Sequence, residues 1–312
     1  MTQRDYDVLA IADMCVDLIM DLGDTVPQFG QVEQWVDDYF MEMGGSACIF
    51  ACQTAKLGLS TGILGRVGPD PAGALMLRRL NESGVDTAMV IEDPDLKTGL
   101  GVALTKPDGD RAILTYGGSL NAVYPADITD DFLRRGRHLH YCSYYLQTNL
   151  QPAIPEILAR SRALGLTISL DTNWDPAETW DGGLREAIAQ ADLFFPNENE
   201  ALAITRQADL SAALDVLHGW GRPELVVVVK RGADGALVSS SDGRVSVPVQ
   251  PVYTLVDTIG AGDSFDAGFV AGWLRELPLA GCAALANACG RASTQARGGI
   301  QGQPTWAELV LH

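Results

Sequence analysis

Short apolar runs alternate with small-residue or amphipathic stretches along most of this chain, a rhythm that predicts strands alternating with helices. The opening run YDVLAIADMCVDLIM, residues 6–20, has the apolar density of one buried parallel strand, with Asp13 and Asp17 at and beyond its carboxyl end. Residues 23–43, around PQFGQVEQWVDDYFMEM, lose that pattern and read as a small excursion from the main sheet. GGSACIFACQTAKLGL, residues 44–59, predicts a small-residue helix after a glycine pair, closed by Gly58, and STGILGRVG the next strand and turn. TGLGVALTKPDGDRAILTYGG, residues 98–118, reads as two strands joined by a Pro-Asp-Gly turn and pairing with the excursion. From Asn121 the alternation is regular: HLHYCSYYL, a helix over 155–164, LTISLDTN, a helix near 184–190, ADLFFPNENEALAI, LVVVVKRGADGALVSS, an apolar strand-like run leading into a glycine motif, and two closing helices. The expected fold is α/β, a doubly wound and mainly parallel sheet flanked by helices, with residues 1–312 forming a single domain.

Composition narrows the function. Hydrophobic residues make up 47% of the 312 and charged residues 20%, which suits a sizeable core and leaves no case for a long disordered tail. A net charge of −18 argues against non-specific binding to nucleic acid or to an anionic membrane. No apolar run approaches the roughly 20 residues of a membrane span, and MTQRDYDV is too polar for a signal peptide, so a cytoplasmic protein is expected. Cys15, Cys48, Cys52, Cys142, Cys282 and Cys289 contain no C-x-x-C pair and lie mostly in apolar surroundings, as reduced core residues do. His138, His140, His218 and His312 form no ligand spacing.

Chemistry concentrates in three segments. DTIGAGDSFDAGF, residues 257–269, puts Gly260, Ala261 and Gly262 where bare backbone N–H groups and a helix dipole can receive a phosphate. Asp263, in the first helical turn beyond them, can accept a proton from an attacking hydroxyl. The same letters also fit an ordinary glycine-rich helix start with Asp263 as a capping acid. Asn197 and Glu200, at i and i+3 in PNENEALAI, can either hold water-coordinated magnesium or cap the helix. Lys230, one of four lysines, can reach a nucleotide phosphate from a strand end or be solvated surface. There is no G-x-x-x-x-G-K-[ST], and Phe265 occupies the third glycine position of a dinucleotide fingerprint; kinase-signature, H-E-x-x-H and G-x-S-x-G motifs are absent as well.

The order of Gly44-Gly45, KLG at 56–58, GRVGPDPAG at 65–73, PNENE at 196–200 and DTIGAGDSFDAGF resembles the ribokinase-like (PfkB) carbohydrate and nucleoside kinases over nearly the whole chain. That resemblance implies ATP and Mg2+ as cofactors, Asp263 as the base for the substrate hydroxyl, and Gly260 to Gly262 as the anion hole. It implies that Asn197 and Glu200 organise magnesium, and that Lys230, Gly232, Gly235 and Asn287 lie along the nucleotide. Asp257 and Ile259 match positions that give oxygens to a K+ site. On the substrate side it implies Asp13, Asp17, Gly44, Gly45 and Ile49. Segments near 20–43 and 98–118, with Arg111, would form a small β-sheet lid over the sugar and a surface for a homodimer. Two departures weigh against ribose as the substrate. Ile49 stands where an asparagine is common, and Cys15 replaces a polar residue two positions before Asp17. Asp175 stands where several ketogluconate-kinase-like and fructokinase-like members carry arginine. Together with the acidic charge, this favours a small neutral sugar or polyol, with a nucleoside as the alternative and a non-catalytic sugar- or nucleotide-binding regulator as a third reading.

Overall fold

Nine strands form the main sheet because most of them are apolar on both faces. The computed structural model describes residues 4–106, 110–252 and 254–310. Its elements in chain order are β1 (Tyr6–Ile11), β2 (Cys15–Asp21), β3 (Asp38–Met43), α1 (Ser46–Lys56), β4 (Thr61–Val67), α2 (Pro71–Glu82), β5 (Asp86–Glu92), β6 (Gly99–Thr105) and β7 (Arg111–Tyr116). They continue with α3 (Asp130–Arg134), β8 (Gly136–Tyr141), α4 (Ile154–Ala163), β9 (Thr167–Leu170), α5 (Leu184–Ile188), β10 (Leu193–Phe194), α6 (Glu198–Thr205), α7 (Leu210–Trp220) and β11 (Val226–Lys230). The last are β12 (Ala236–Ser240), β13 (Gly243–Val247), α8 (Ala261–Leu274), α9 (Leu279–Ser293) and α10 (Trp306–Val310).

The main sheet runs β13-β12-β11-β10-β9-β8-β1-β4-β5, parallel throughout except at the β11–β12–β13 end. Successive side chains of a strand point to opposite faces, so Val8 joins the core under α1, α8 and α9 while Leu9 and Ile11 join the core under α4, α5 and α7. Val226 and Val228 divide from Val227 and Val229 in the same way. Burial on both faces is why these strands read as continuous apolar runs rather than alternating ones. The chain turns from β1 to β4 on one side and to β8 on the other, and this switch of direction leaves a crevice at the carboxyl ends of the strands.

A second sheet of four strands, β3-β2-β6-β7, stands apart from the first. β2 pairs antiparallel with β3 and parallel with β6, and β6 pairs antiparallel with β7. The excursion and the hairpin therefore share one sheet; the Pro107-Asp108-Gly109 turn lies outside the described residues. Among those residues no helix is long and apolar enough to cross a membrane, and all six cysteines are buried and free.

Two expectations need correcting. Residues 6–20 are two strands in different sheets, because Asp13 turns back to the start of α1, where its carboxylate accepts from Ser46 N at 3.1 Å and Ala47 N at 3.0 Å. No Gly or Pro marks the break, so the apolar run conceals it. The run before Asp257 is not a strand: Pro248 and Pro251 have no N–H to give a ladder, and Val256 N donates to Thr294 O at 2.9 Å at the end of α9.

Candidate active site

Five parallel strands end around one crevice, and a polar residue ends or follows each of them. Asp13 follows β1, Ser143 follows β8, Asp171 and Asn173 follow β9, Asn197 follows β10, and Lys230 ends β11. The starts of α1 and α8 complete the wall. The result is a cavity of about 420 Å³ lined by Asp17, Gly45, Ser46, Ile49, Asp171, Asn173, Asn197, Glu200, Lys230, Gly232, Ile259, Gly260, Gly262 and Asp263.

Asp263 sits in the first turn of α8, three residues past Gly260, whose φ of 69° is the left-handed turn that starts the helix. The first N–H groups of a helix have no intrahelical acceptor, so those of Gly262 and Asp263 stand at the cavity as donors. Burial, and then the Asp171 carboxylate, push Asp263 up to about 8 against the pull of Lys230. Asp17 reaches the cavity from β2; a Cβ on Gly44 would collide with its carboxylate, so that glycine leaves the acid its place. Burial, and then Asp13 and Asp257, push Asp17 up to about 6.

Lys230 is a half-buried ion-pair residue rather than solvated surface. Its Nζ lies 2.7 Å from Asp171 Oδ2 and 3.3 Å from Asp266 Oδ2. Burial pushes the Asp171 carboxyl up, but the Lys230 ammonium, hydrogen bonds from Asp266 and Lys230, and His140 together leave it below its ordinary value. Asp266 is fully buried one helical turn below Asp263, with Oδ1 unpartnered, and burial pushes it well above the carboxylate range. Asn197 and Glu200 form a reciprocal capping box, Asn197 N to Glu200 Oε2 and Glu200 N to Asn197 Oδ1, each 2.8 Å. Burial, and then Asp171, lift Glu200 to about 7.

The remaining candidates fall in four groups. Asp13 is not in the cavity wall; it accepts from Ser46 N, Ala47 N and Ser143 Oγ, so its oxygens are committed to holding α1. Gly235 and Asn287 meet beside Val247 and Pro248, with Asn287 Nδ2 donating to Val247 O at 2.9 Å, and Gly232 has open space beyond it. Asp257 accepts from Ile259 N at 3.0 Å and Gly298 N at 2.9 Å, shaping the loop before α8. The side chain of Arg111 lies outside the described residues. Asp171, Asn173, Ser46 and Asp266 were not singled out from sequence, although Asp171 and Asn173 close the strand segment LTISLDTN and the carboxyl-end rule points at them.

Asp175 is buried and not among the residues lining the cavity. It accepts from Ala177 N at 2.8 Å, Thr179 N at 2.7 Å, Thr179 Oγ1 at 3.0 Å and Trp180 N at 2.8 Å, stapling a loop in which Glu178 and Trp180 have positive φ. Asp175→Ala is expected to cost about 1–3 kcal/mol in urea unfolding, because several donors lose their acceptor together. An unchanged midpoint would show that the loop needs no staple.

Comparison with known proteins gives the family and the fold. The family model described as pfkB family carbohydrate kinase matches residues 7–306. The chain is 34% identical over 263 residues to an ATP-dependent ribose-1-phosphate kinase of Halopiger xanaduensis, covering 84% of this chain and 83% of that one. It is 28% identical to a 2-dehydro-3-deoxygluconokinase of Bacillus subtilis, over 88% of this chain and 87% of that one. Arabidopsis thaliana ribokinase, solved with ribose and ATP, shares the fold with a TM-score of 0.85 at 21% identity, over 98% of both chains.

Proposed function

The chain belongs to the pfkB family of carbohydrate kinases, and from that premise we propose that it moves the γ-phosphoryl group of ATP to a hydroxyl of a small neutral sugar or polyol, with Asp263 as general base. That it is an ATP-dependent carbohydrate kinase follows from the family and its sugar-kinase relatives; the substrate and the residue roles are our reading.

The charge of the cavity carries the substrate reading. Among the described residues that line it, Asp17, Asp171, Glu200 and Asp263 are acids, and Lys230, already paired with Asp171, is the one base. An anionic sugar would enter against that field, whereas hydroxyl groups can donate to it. Asp17 would hold the sugar through its hydroxyls. Asp263 would take the proton of the attacking hydroxyl, while the N–H groups at the start of α8 and the Lys230 ammonium offset charge on the transferring group.

ATP with magnesium supplies the phosphoryl group. The residues fit it: Gly262 leaves room beside Lys230, where an added Cβ would stand 3.6 Å from Nζ, and Gly232 opens onto free space. Among the described residues no three His, Cys, Asp or Glu side chains converge as a metal nest, so Asn197 and Glu200 would hold magnesium through its waters. The backbone oxygens of Asp257 and Ile259 would hold K+. A nucleoside substrate would need an apolar pocket at Ile49 and Cys15. Cys15 does not line the cavity, and the Ile49 methyls pack on Gly260 and Gly299.

ADP release across neutral sugars, polyols, sugar acids, ribose 1-phosphate and nucleosides tests the proposal. Turnover on a neutral sugar or polyol is expected. Activity confined to acids or phosphorylated sugars would overturn the neutral reading, activity on nucleosides alone would install the alternative, and binding without ADP would point to a regulator.

The second sheet would act as the lid and as a contact between two copies. Phe29 and Trp35 are almost fully exposed in the segment between β2 and β3, and Tyr39, Met41, Ile113, Leu114 and Tyr116 are exposed on the two edge strands. Such a patch beside unpaired strand edges calls for cover, and an identical patch supplies it. Light scattering should give twice the chain mass, and Phe29→Ser with Trp35→Ser should give the single mass; a monomeric wild type would remove the dimer.

A further inference from the structure

The ends of β1, β8 and β9 and the first residues of α1 are joined by hydrogen bonds whose directions can be read. Ser143 N, which can only donate, donates to Asn173 Oδ1 at 3.0 Å. This fixes the amide, so Asn173 Nδ2, also donor only, faces Ser46 and donates to its Oγ at 2.9 Å. Ser143 Oγ donates to Asp13 Oδ2 at 2.5 Å, and Asp13 in turn accepts from the backbone of Ser46 and Ala47. The Ser46 oxygen has thus received one hydrogen and keeps its own for an acceptor in front of it. In the cavity wall that acceptor is Asp263. Ser143 and Asn173 hold φ of 54° and 58°, a conformation that costs energy in residues other than glycine and is kept where a site needs it.

We propose that Asn173 is a positioning residue for the base: by donating to Ser46 it turns the Ser46 hydroxyl onto the Asp263 carboxylate and fixes that carboxylate toward the substrate. The inference rests on the reading of Asp263 as base. A hydroxyl donated to the charged form favours it. It works with the Lys230 ammonium at the end of β11 and against burial, Asp171 after β9 and Asp13 after β1. Cys48 on α1, Cys142 after β8 and Asp266 on α8 also couple with it, and Asp17 on β2 and Glu200 on α6 share its cavity wall.

The test compares Asn173→Ala, Ser46→Ala, the double variant and Ser46→Thr in the full chain, with kcat, KM and the pH profile of kcat/KM on the best substrate. Each alanine is expected to lower kcat about tenfold and move the acid limb up by about one pH unit, the size of one charge-assisted hydrogen bond, with KM little changed. The double variant should be no worse than the weaker single, and Ser46→Thr, which keeps the hydroxyl, should stay near wild type. An Asn173→Ala effect that appears in full on top of Ser46→Ala, or in KM alone, or with an unmoved limb, would overturn the inference and make Asn173 a substrate contact. If a lowered thermal midpoint shows that Asn173→Ala is misfolded, Ser46→Ala alone decides through its limb. Asp263→Asn run beside them separates the two failures: turnover indifferent to it removes the base itself.

Discussion

Asp263→Asn is expected to lower kcat by about 10²–10⁴-fold, the usual contribution of a positioned general base, while KM for ATP changes little. The amide keeps the shape of the first turn of α8 and cannot take a proton. Wild-type kcat/KM should rise about tenfold per pH unit through the acid range and level off near 8, the value to which burial and Asp171 push this carboxyl in the free protein. Its effect on stability runs the other way. A carboxyl that folding raises above its ordinary value binds a proton in the native state where the unfolded chain has lost it. The stability it contributes is therefore fully present below about pH 4 and lost as pH rises through about 8. Asp263→Asn should then melt higher than wild type at pH 8 and close to it at pH 4. A variant that is slow but not stabilised at pH 8 would mean that the carboxyl is not strained by its site.

Gly262→Ala and Gly260→Ala are expected to cost turnover by different routes. A Cβ on Gly262 would meet Lys230 Nζ at 3.6 Å, an ordinary contact, so the fold should accept it and the helix should gain slightly. The methyl instead occupies the approach of a phosphate to the helix N–H groups, and loss of such donors costs about 10²–10³-fold in kcat. A Cβ on Gly260 would stand 2.8 Å from Ile49 Cγ2 and 3.0 Å from Gly299 Cα, at a φ of 69°. That variant should lose both turnover and about 1–2 kcal/mol of stability, from the left-handed conformation alone. Thermal melting and ADP release on the two proteins separate the routes. Full activity in Gly262→Ala would remove the anion hole from the mechanism.

The sequence carried most of the layer structure because the parallel strands are buried on both faces and bounded by polar turns. It hid the crossing from β1 to β2 because Ala12 to Met14 carry no Gly or Pro, the bend being made by a side-chain carboxylate that caps a helix 33 residues later. The glycine motif marked the proposed base and anion turn, since a close approach to backbone N–H groups needs glycine around them. The supporting polar groups were harder to see. Asp266 lies inside an apolar helix sequence and Asn173 inside DTN, and their importance comes from partners on other strands. Asp13 shows the converse: an acid in the right place by sequence, whose oxygens are taken up by Ser143 and the start of α1.

Asp17 belongs to the second sheet and Asp263 to the helix under the first. The proposed anchor for the acceptor and the proposed base would therefore be carried by separate parts of the molecule, and the acceptor would be the piece that spans them. On that reading a sugar would engage both parts at once, whereas a water at Asp263 would gain nothing from Asp17, so the spending of ATP would follow what the second sheet has taken hold of.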